Sequence, residues 1–433
     1  MRRAVHFAEL AFAFFGLYFM LGGLAAALTP QGATESSAVQ LLGMAIGGGA
    51  ALALIVRPRA ASRMVYLYWL AFLAPALAAF SLLWAVDPTL AFRRSGSLFL
   101  TVIFAIWLAE RFDQKVLFRL LLAACVLLCA ASWYTVLFNP RMGVHQPNDG
   151  FGLEHVGAWR GVYAFKNDFG RAIALCAMVF GIAGVWMRKY WYVFAFLFVQ
   201  AFILILNSRS SQAMFLSVVP FMAYVLITWL RTMTARTRTL VIAAILPLLV
   251  IAYMTSQLLF SQVLALLGRD GTLTGRTEIW AAVIQSMQSH FLFGGGFGSG
   301  WEIVKDRVTV MTGVTVGHAH NGYLDLLTDL GIVGLLVVLV LPLTVLSLSI
   351  RNLFSPDAGI IAALGFSYVV FYLAGNAAAS FLLLHNSIYW VIPITAYCGL
   401  RQIYNPYARP APGSDPRPKT RILVPGSSSV SSS

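Results

Sequence analysis

Long apolar runs separated by short polar breaks dominate this chain. A helix needs about 20 apolar residues to cross a bilayer's hydrocarbon core. Runs of that kind fall at about 7–28, 37–56, 64–86, 95–109, 116–138, 169–187, 190–207, 212–230, 239–257, 328–350, 358–380 and 383–400. The pattern predicts an all-α integral membrane protein with about 12 transmembrane helices. Two longer polar stretches interrupt it, at about 139–168 and 258–327. Residues 1–403 read as one polytopic transmembrane domain. Residues 404–433 are rich in Pro, Ser and basic residues and read as a disordered tail. The first run is too long for a signal-peptide core and lacks a convincing cleavage site, so it reads as a retained helix.

Composition agrees. The chain is 59% hydrophobic and 11% charged, whereas soluble domains carry roughly a quarter charged residues. The net charge of +14 would suggest nucleic acid in a soluble protein. Here it fits cationic loops facing anionic lipid, and no nucleic-acid partner is expected. The four cysteines, Cys125, Cys129, Cys176 and Cys398, all lie in apolar runs and read as packing residues.

The basic residues set an orientation. With the N-terminus in the cytoplasm, that side holds Arg2, Arg3, Arg57, Arg59, Arg63, Arg111, Lys115, Arg119, Arg188, Lys189, Arg231, Arg236, Arg238, Arg351, Arg401 and the tail's Arg409, Arg417, Lys419 and Arg421. These are 19 of the 30 basic residues, which supports both ends in the cytoplasm. The two long polar stretches then share the outer side with Arg93, Arg94, Arg160, Lys166, Arg171, Arg209, Arg269 and Arg276. Basic residues on the translocated side oppose the topology bias. They read either as ligands for an anion or as helix flanks meeting lipid phosphate. Arg209 favours the first reading, because it sits in a tight turn between two runs.

Within the second stretch, Ile279, Trp280, Val283, Ile284 and Met287 share one face at helical spacing. They predict a helix over about 277–291, lying on the bundle or in the interface. Gly294 to Trp301 is glycine-rich, lacks the Gly-Lys-Ser/Thr ending of a P-loop and follows no strand, so it reads as a flexible turn. His318-Ala319-His320-Asn321 follows, at the mouth of an apolar run. A histidine there can cap or pack, or it can exchange a proton near neutral pH. Arginine binds phosphate through a bidentate fork and keeps its charge. Together they could activate a hydroxyl and stabilise a departing diphosphate. No metal site is expected, since no carboxylate or cysteine cluster accompanies the histidines in sequence.

These landmarks carry a family resemblance. Trp84-Ala85-Val86-Asp87-Pro88 with Arg93-Arg94, Phe165-Lys166-Asn167-Asp168-Phe169-Gly170, Asn207-Ser208-Arg209-Ser210, Gly275-Arg276-Thr277-Glu278-Ile279-Trp280 and the glycine-rich run occur in order. His320-Asn321 is then followed by nine residues, Gly331, two residues and Gly334. The set resembles the O-antigen ligase and exopolysaccharide (O-antigen) polymerase superfamily of bacterial inner-membrane glycosyltransferases. It departs from the polymerase pattern at Phe165, where polymerases often show histidine. The resemblance implies a GT-C-like fold, an active site facing the periplasm, and an inverting, metal-independent transfer from an undecaprenyl-diphosphate-linked glycan, with no cofactor. It implies that His320, Arg276 and Arg209 are catalytic and that Lys166 and His318 bind substrate; Arg160, from its outer-side charge, and Asn321, beside the histidines, are expected to bind substrate with them.

The expected activity is that of an O-antigen ligase, moving the glycan to a hydroxyl of lipid A–core oligosaccharide. The alternative is a polymerase joining lipid-linked repeat units. A protein-directed oligosaccharyltransferase is a further version. A lipid-linked oligosaccharide flippase would want basic residues deep in the spans and matching halves, and neither is visible.

Overall fold

The computed structural model describes residues 2–29, 36–150, 152–241, 276–313, 315–353 and 360–403. They form an α-helical bundle without strands. Its principal helices are α1 (Arg2–Met20), α2 (Ser37–Ile55), α3 (Pro58–Leu67), α4 (Leu73–Phe80), α5 (Pro88–Arg111), α6 (Gln114–Phe138), α7 (Lys166–Trp186), α8 (Trp191–Ser208), α9 (Ser211–Arg231), α10 (Arg276–Ser286), α11 (Trp301–Thr312), α12 (Gly322–Leu353), α13 (Ile360–Asn376) and α14 (Ile388–Ile403).

Eight of the described helices are long and apolar enough to cross a membrane: α1, α2, α5, α6, α7, the Arg188–Ser208 segment containing α8, α9 and α12. The apolar runs predict twelve, and four of those runs account for the difference. The run at 239–257 lies mostly outside the described residues, as do Arg269 and the 404–433 tail. The run at 64–86 is broken. α3 stops at Leu67, Trp69–Phe72 is a 3₁₀ turn, and α4 starts two residues before Pro75. A proline in the first turn of a helix forfeits no hydrogen bond, but in a helix continued from α3 it would. The runs at 358–380 and 383–400 shorten to helices of 17 and 16 residues, because 377–387 turns back and joins the candidate site.

The centre of the bundle is α7, packed against α6, α8, α9 and α13. Its residues from Phe169 to Phe180 are buried on every face, as expected of a helix apolar all round. Gly170, Ala172, Ala174 and Ala177 keep that helix slim, which lets its neighbours come close.

The charged loops gather at two ends. At one end Glu9 pairs with Arg57 and Arg111. Beside it, Glu110 accepts from Arg63 Nε at 3.0 Å, from Tyr68 and from Gln402. Four chain segments assigned to one side by their basic residues therefore meet. At the other end of α5, Val86 N–H donates to Gly295 O at 2.9 Å and Arg94 Nη1 to Gly298 O at 2.7 Å. The 24 residues of α5 separate the two ends by about 36 Å.

The second polar stretch carries its own small core. Ile279, Ala282, Val283 and Met287 pack against Val304 and Val308 of α11 and against Ala319 and Leu327. The helix expected over 277–291 is α10, which ends at Ser286. Ile284, placed on its packed face from the spacing, points outward.

Candidate active site

The His320–Gly334 spacing has a physical reading. Asn321 is an N-cap: its Oδ1 accepts from Tyr323 N–H at 3.0 Å and Leu324 N–H at 3.3 Å. The nine residues that follow make about two and a half turns. The helix then breaks at Gly331, which has φ 65° and ψ −170°. That region is essentially glycine-only. A Cβ at Gly334 would lie 2.1 Å from Leu330 Cβ, so the two halves of α12 touch only because no side chain stands there. The break receives the chain from α10: Ile332 N–H donates to Phe291 O at 2.8 Å.

The glycine-rich run is therefore a packed element, not the flexible turn its composition suggests. Gly295 N–H donates to Thr328 O at 2.9 Å and Gly296 N–H to Asp329 O at 2.8 Å. Gly300 N–H donates to the Asp329 carboxylate at 3.0 Å. The first two bonds satisfy carbonyls that the broken helix leaves without an internal partner.

Just before α12, the chain around Ala319 is pinned at three points. Ala319 N–H donates to Asp325 Oδ1 at 2.7 Å, Trp280 Nε1 donates to Ala319 O at 2.9 Å, and the Ala319 methyl is fully buried. Held this way, His320 adopts φ 52°, an uncommon conformation for a non-glycine residue. The His318 and His320 rings sit 4.1 Å apart, centroid to centroid. His318 Nδ1 accepts from His320 N–H at 3.1 Å and lies 3.3 Å from Ser380 Oγ. Ser380 in turn donates to Asp325. Sequence reasoning missed Asp325, Trp280 and Ser380. Trp280 was legible only as an apolar face residue, and nothing in residue type or spacing sets Asp325 apart.

Arg276, the first residue of α10, donates from Nη1 to Ala378 O at 3.2 Å, in the α13–α14 turn. Burial, then the charge of His318, then that of Arg276 hold the His320 imidazole down at about 4. It is neutral at pH 7 and free to accept a proton. Burial also lowers the Arg276 guanidinium from its ordinary value, though arginine stays charged in proteins.

A second group stands across the same turn. Arg209, at φ 52°, caps the C-terminus of α8. Its Nη1 donates to Val156 O at 3.3 Å, and its charge lies near Lys166, which Glu154 also approaches. Gln212 Nε2 donates to Gly375 O at 2.6 Å. Residues 375–380 thus contact the start of α9, three residues after Arg209, through Gln212, and contact Arg276 and His318 through Ala378 and Ser380. Two of the three described non-glycine residues with positive φ are Arg209 and His320.

Arg160 is placed differently. It is buried and donates to the carbonyls of Met142, Ala164 and Arg141, with Asp149 at 3.4 Å. Its guanidinium holds the 139–165 loop together. His145 works beside it: Nδ1 lies 2.6 Å from Asp149, and Nε2 accepts from Lys166 N–H at 3.2 Å. That contact supplies a partner to the N-terminus of α7. Burial lowers the His145 imidazole below its ordinary value, against the pull of Asp149.

A family model described as O-antigen ligase matches residues 193–339. The matched stretch runs from α8 into α12 and contains Arg209, Arg276, His320, Gly331 and Gly334. Through these residues the matched stretch is similar to the O-antigen ligase superfamily. Members of this superfamily are glycosyltransferase-like enzymes, and the family implies lipid-linked glycan substrates in a membrane. A comparison with curated proteins finds no match. The matched region supplies the pinned histidine, both arginines and the helix break. The α13–α14 turn that meets Arg276 and His318, and Lys166, come from outside it. Among the described residues no group of three His, Cys, Asp or Glu side chains gathers as a metal-ligand set.

Proposed function

We propose that this protein is an inverting glycosyltransferase of the O-antigen ligase type. Its donor is a glycan on undecaprenyl diphosphate, and its acceptor is a hydroxyl of lipid A–core oligosaccharide. The reading places the enzyme in the bacterial inner membrane with a GT-C-like architecture and the site facing the periplasm. The observation that carries it is a neutral, half-buried His320, held in a pinned loop beside Arg276, in the stretch that matches the family.

In the reaction His320 accepts the proton of the acceptor hydroxyl as its oxygen attacks the anomeric carbon. The bond from that carbon to the diphosphate oxygen breaks, and the electron pair leaves with the diphosphate. Arg276 and Arg209 stabilise the charge developing there. Lys166 adds positive charge at the Arg209 side. No bound metal is assigned a part. His318 orients the loop through its Nδ1, while Asn321 and Arg160 hold the frame. Arriving diphosphate offsets the Arg276 charge that depresses the imidazole, so substrate strengthens its own base. The free energy resides in the donor's diphosphate bond, and no nucleotide is consumed.

The test is deletion of the gene, with complementation by wild type and by His320→Ala, followed by gel and mass analysis of surface glycans. Long polymer stranded on undecaprenyl diphosphate, with bare lipid A–core, supports a ligase. Single repeat units alone, on carrier or core, identify a polymerase instead. Restoration by His320→Ala would remove His320 from the mechanism. An unchanged glycan profile in a strain with no redundant gene would overturn the reading.

A further inference from the structure

The segment from α10 to α11 carries three consecutive large apolar side chains that the protein leaves uncovered. Phe291, Leu292 and Phe293 are 47%, 58% and 51% exposed. They continue a patch formed by the end of α4 and the turn after it, where Phe80 is 61% and Leu83 is 75% exposed. Trp84 joins the two parts. Its ring lies 5.8 Å from that of Phe80 and 5.6 Å from that of Phe293.

The depth of this patch can be read from its backbone bonds. Phe291 O accepts from Ile332 N–H at 2.8 Å and Leu292 O from Val333 N–H at 3.3 Å. Ile332 is the third residue of the uncharged run of α12 that extends from Leu330 to Ile350. On α12, Leu336, Val340 and Leu343 form an exposed apolar stripe. It begins one turn, about 5–6 Å, beyond Ile332. Phe291 and Leu292 thus sit level with the first residues of the span, although they lie 36 or more residues before the predicted run at 328–350.

The carbonyls suit an apolar setting. Those of Phe291 and Leu292 are taken by α12, and that of Phe293 by Trp84 Nε1 at 3.0 Å. In hydrocarbon a backbone polar group must find its partner within the protein. An indole whose N–H is satisfied at the rim of such a patch is typical of the interfacial aromatic belt.

We infer that residues 291–293, with Leu83 and Trp84, form a wedge seated in the edge of the bilayer on the side of the candidate site, with phospholipid acyl chains as the covering partner. Continuity with the exposed stripe of α12 selects lipid as the occupant. The wedge leads straight into Gly295 and Gly296, whose N–H groups hold the helix half that follows His320. Bilayer depth thereby sets the height of the candidate site. The inference rests on this placement alone and does not require the glycosyltransferase reading.

The test uses the full chain in phospholipid vesicles. A polarity-sensitive fluorophore is attached at Leu292→Cys, at Leu336→Cys on the α12 stripe, and at Asp306→Cys on exposed α11. The four native cysteines are buried, and unsubstituted protein gives the background. Retained thermal stability shows that each variant folds. Expected is emission at position 292 that is blue-shifted, quenched by chain-brominated lipid and indifferent to aqueous iodide, as at 336. Iodide quenching like that at 306 would overturn the wedge. Protection from both quenchers would also overturn it, in favour of a protein partner on this face.

Discussion

Replacing Gly331 by Ala tests the central geometric claim, that the helix before the break and the chain from α10 are fitted to each other without room for a side chain. Gly331 has φ 65° and ψ −170°, and a Cβ there would lie 2.2 Å from both C and O of Leu292. The backbone conformation alone costs an alanine about 1–3 kcal/mol. The overlap is with main chain, which cannot rotate away, and overpacking of this kind adds about 1–3 kcal/mol. The expected loss is about 2–6 kcal/mol, against a total stability of roughly 5–15 kcal/mol for a folded domain. The buried cysteines make the assay direct, because a thiol-reactive dye reports heat unfolding as Cys125, Cys129, Cys176 and Cys398 become exposed. Gly48→Ala in α2 is the control. Its Cβ meets nothing within 4 Å, and alanine gains about 0.5–1 kcal/mol over glycine within a helix. Gly331→Ala should melt well below wild type and Gly48→Ala at or slightly above it. Equal midpoints for Gly331→Ala and wild type would refute the fitted break.

Other expectations follow from the site and the opposite end. Arg276→Met removes one of the charges that push His320 down. Its pKa should therefore rise toward the ordinary histidine value, read as an upward shift in the pH at which His320 loses reactivity to diethyl pyrocarbonate by peptide mass analysis; an unmoved midpoint would separate the two residues. Arg276→Lys keeps charge but loses the fork, so glycan transfer should drop severely while thermal stability holds; wild-type transfer would reduce Arg276 to a helix flank. Asp325→Ala strips partners from Ala319 N–H and Ser380. Leaving a part-buried donor unmatched costs about 1–3 kcal/mol, so the variant should melt earlier and transfer poorly, and unchanged values in both assays would show that the loop is held otherwise. Glu110→Ala leaves Arg63 without its buried partner. Breaking such a pair costs roughly 3–5 kcal/mol when both groups are buried; Arg63 is partly exposed, so the dye assay should show a loss nearer the lower bound, and none at all would contradict the network.

By itself the sequence determined the membrane class, which of the described charged loops share an end of the bundle, and the spacing around His320. These are properties of local composition and order: a 20-residue apolar run, a bias of Arg and Lys, an Asn that caps and a Gly that breaks. Tertiary structure decided what those segments do to one another. The run at 64–86 looked continuous until Pro75 restarted it, and 383–400 looked like a full span until 377–387 turned back to face Arg276. The glycine-rich run read as slack because glycine is permissive alone. Here its N–H groups find the Thr328 and Asp329 carbonyls that the break at Gly331 leaves open. Arg160 looked like a ligand because one-sided charge suggests anions, yet loop carbonyls surround it. Asp325 and Trp280 could not be singled out from sequence, since hydrogen bonds to the backbone of Ala319 leave no trace in residue type or spacing.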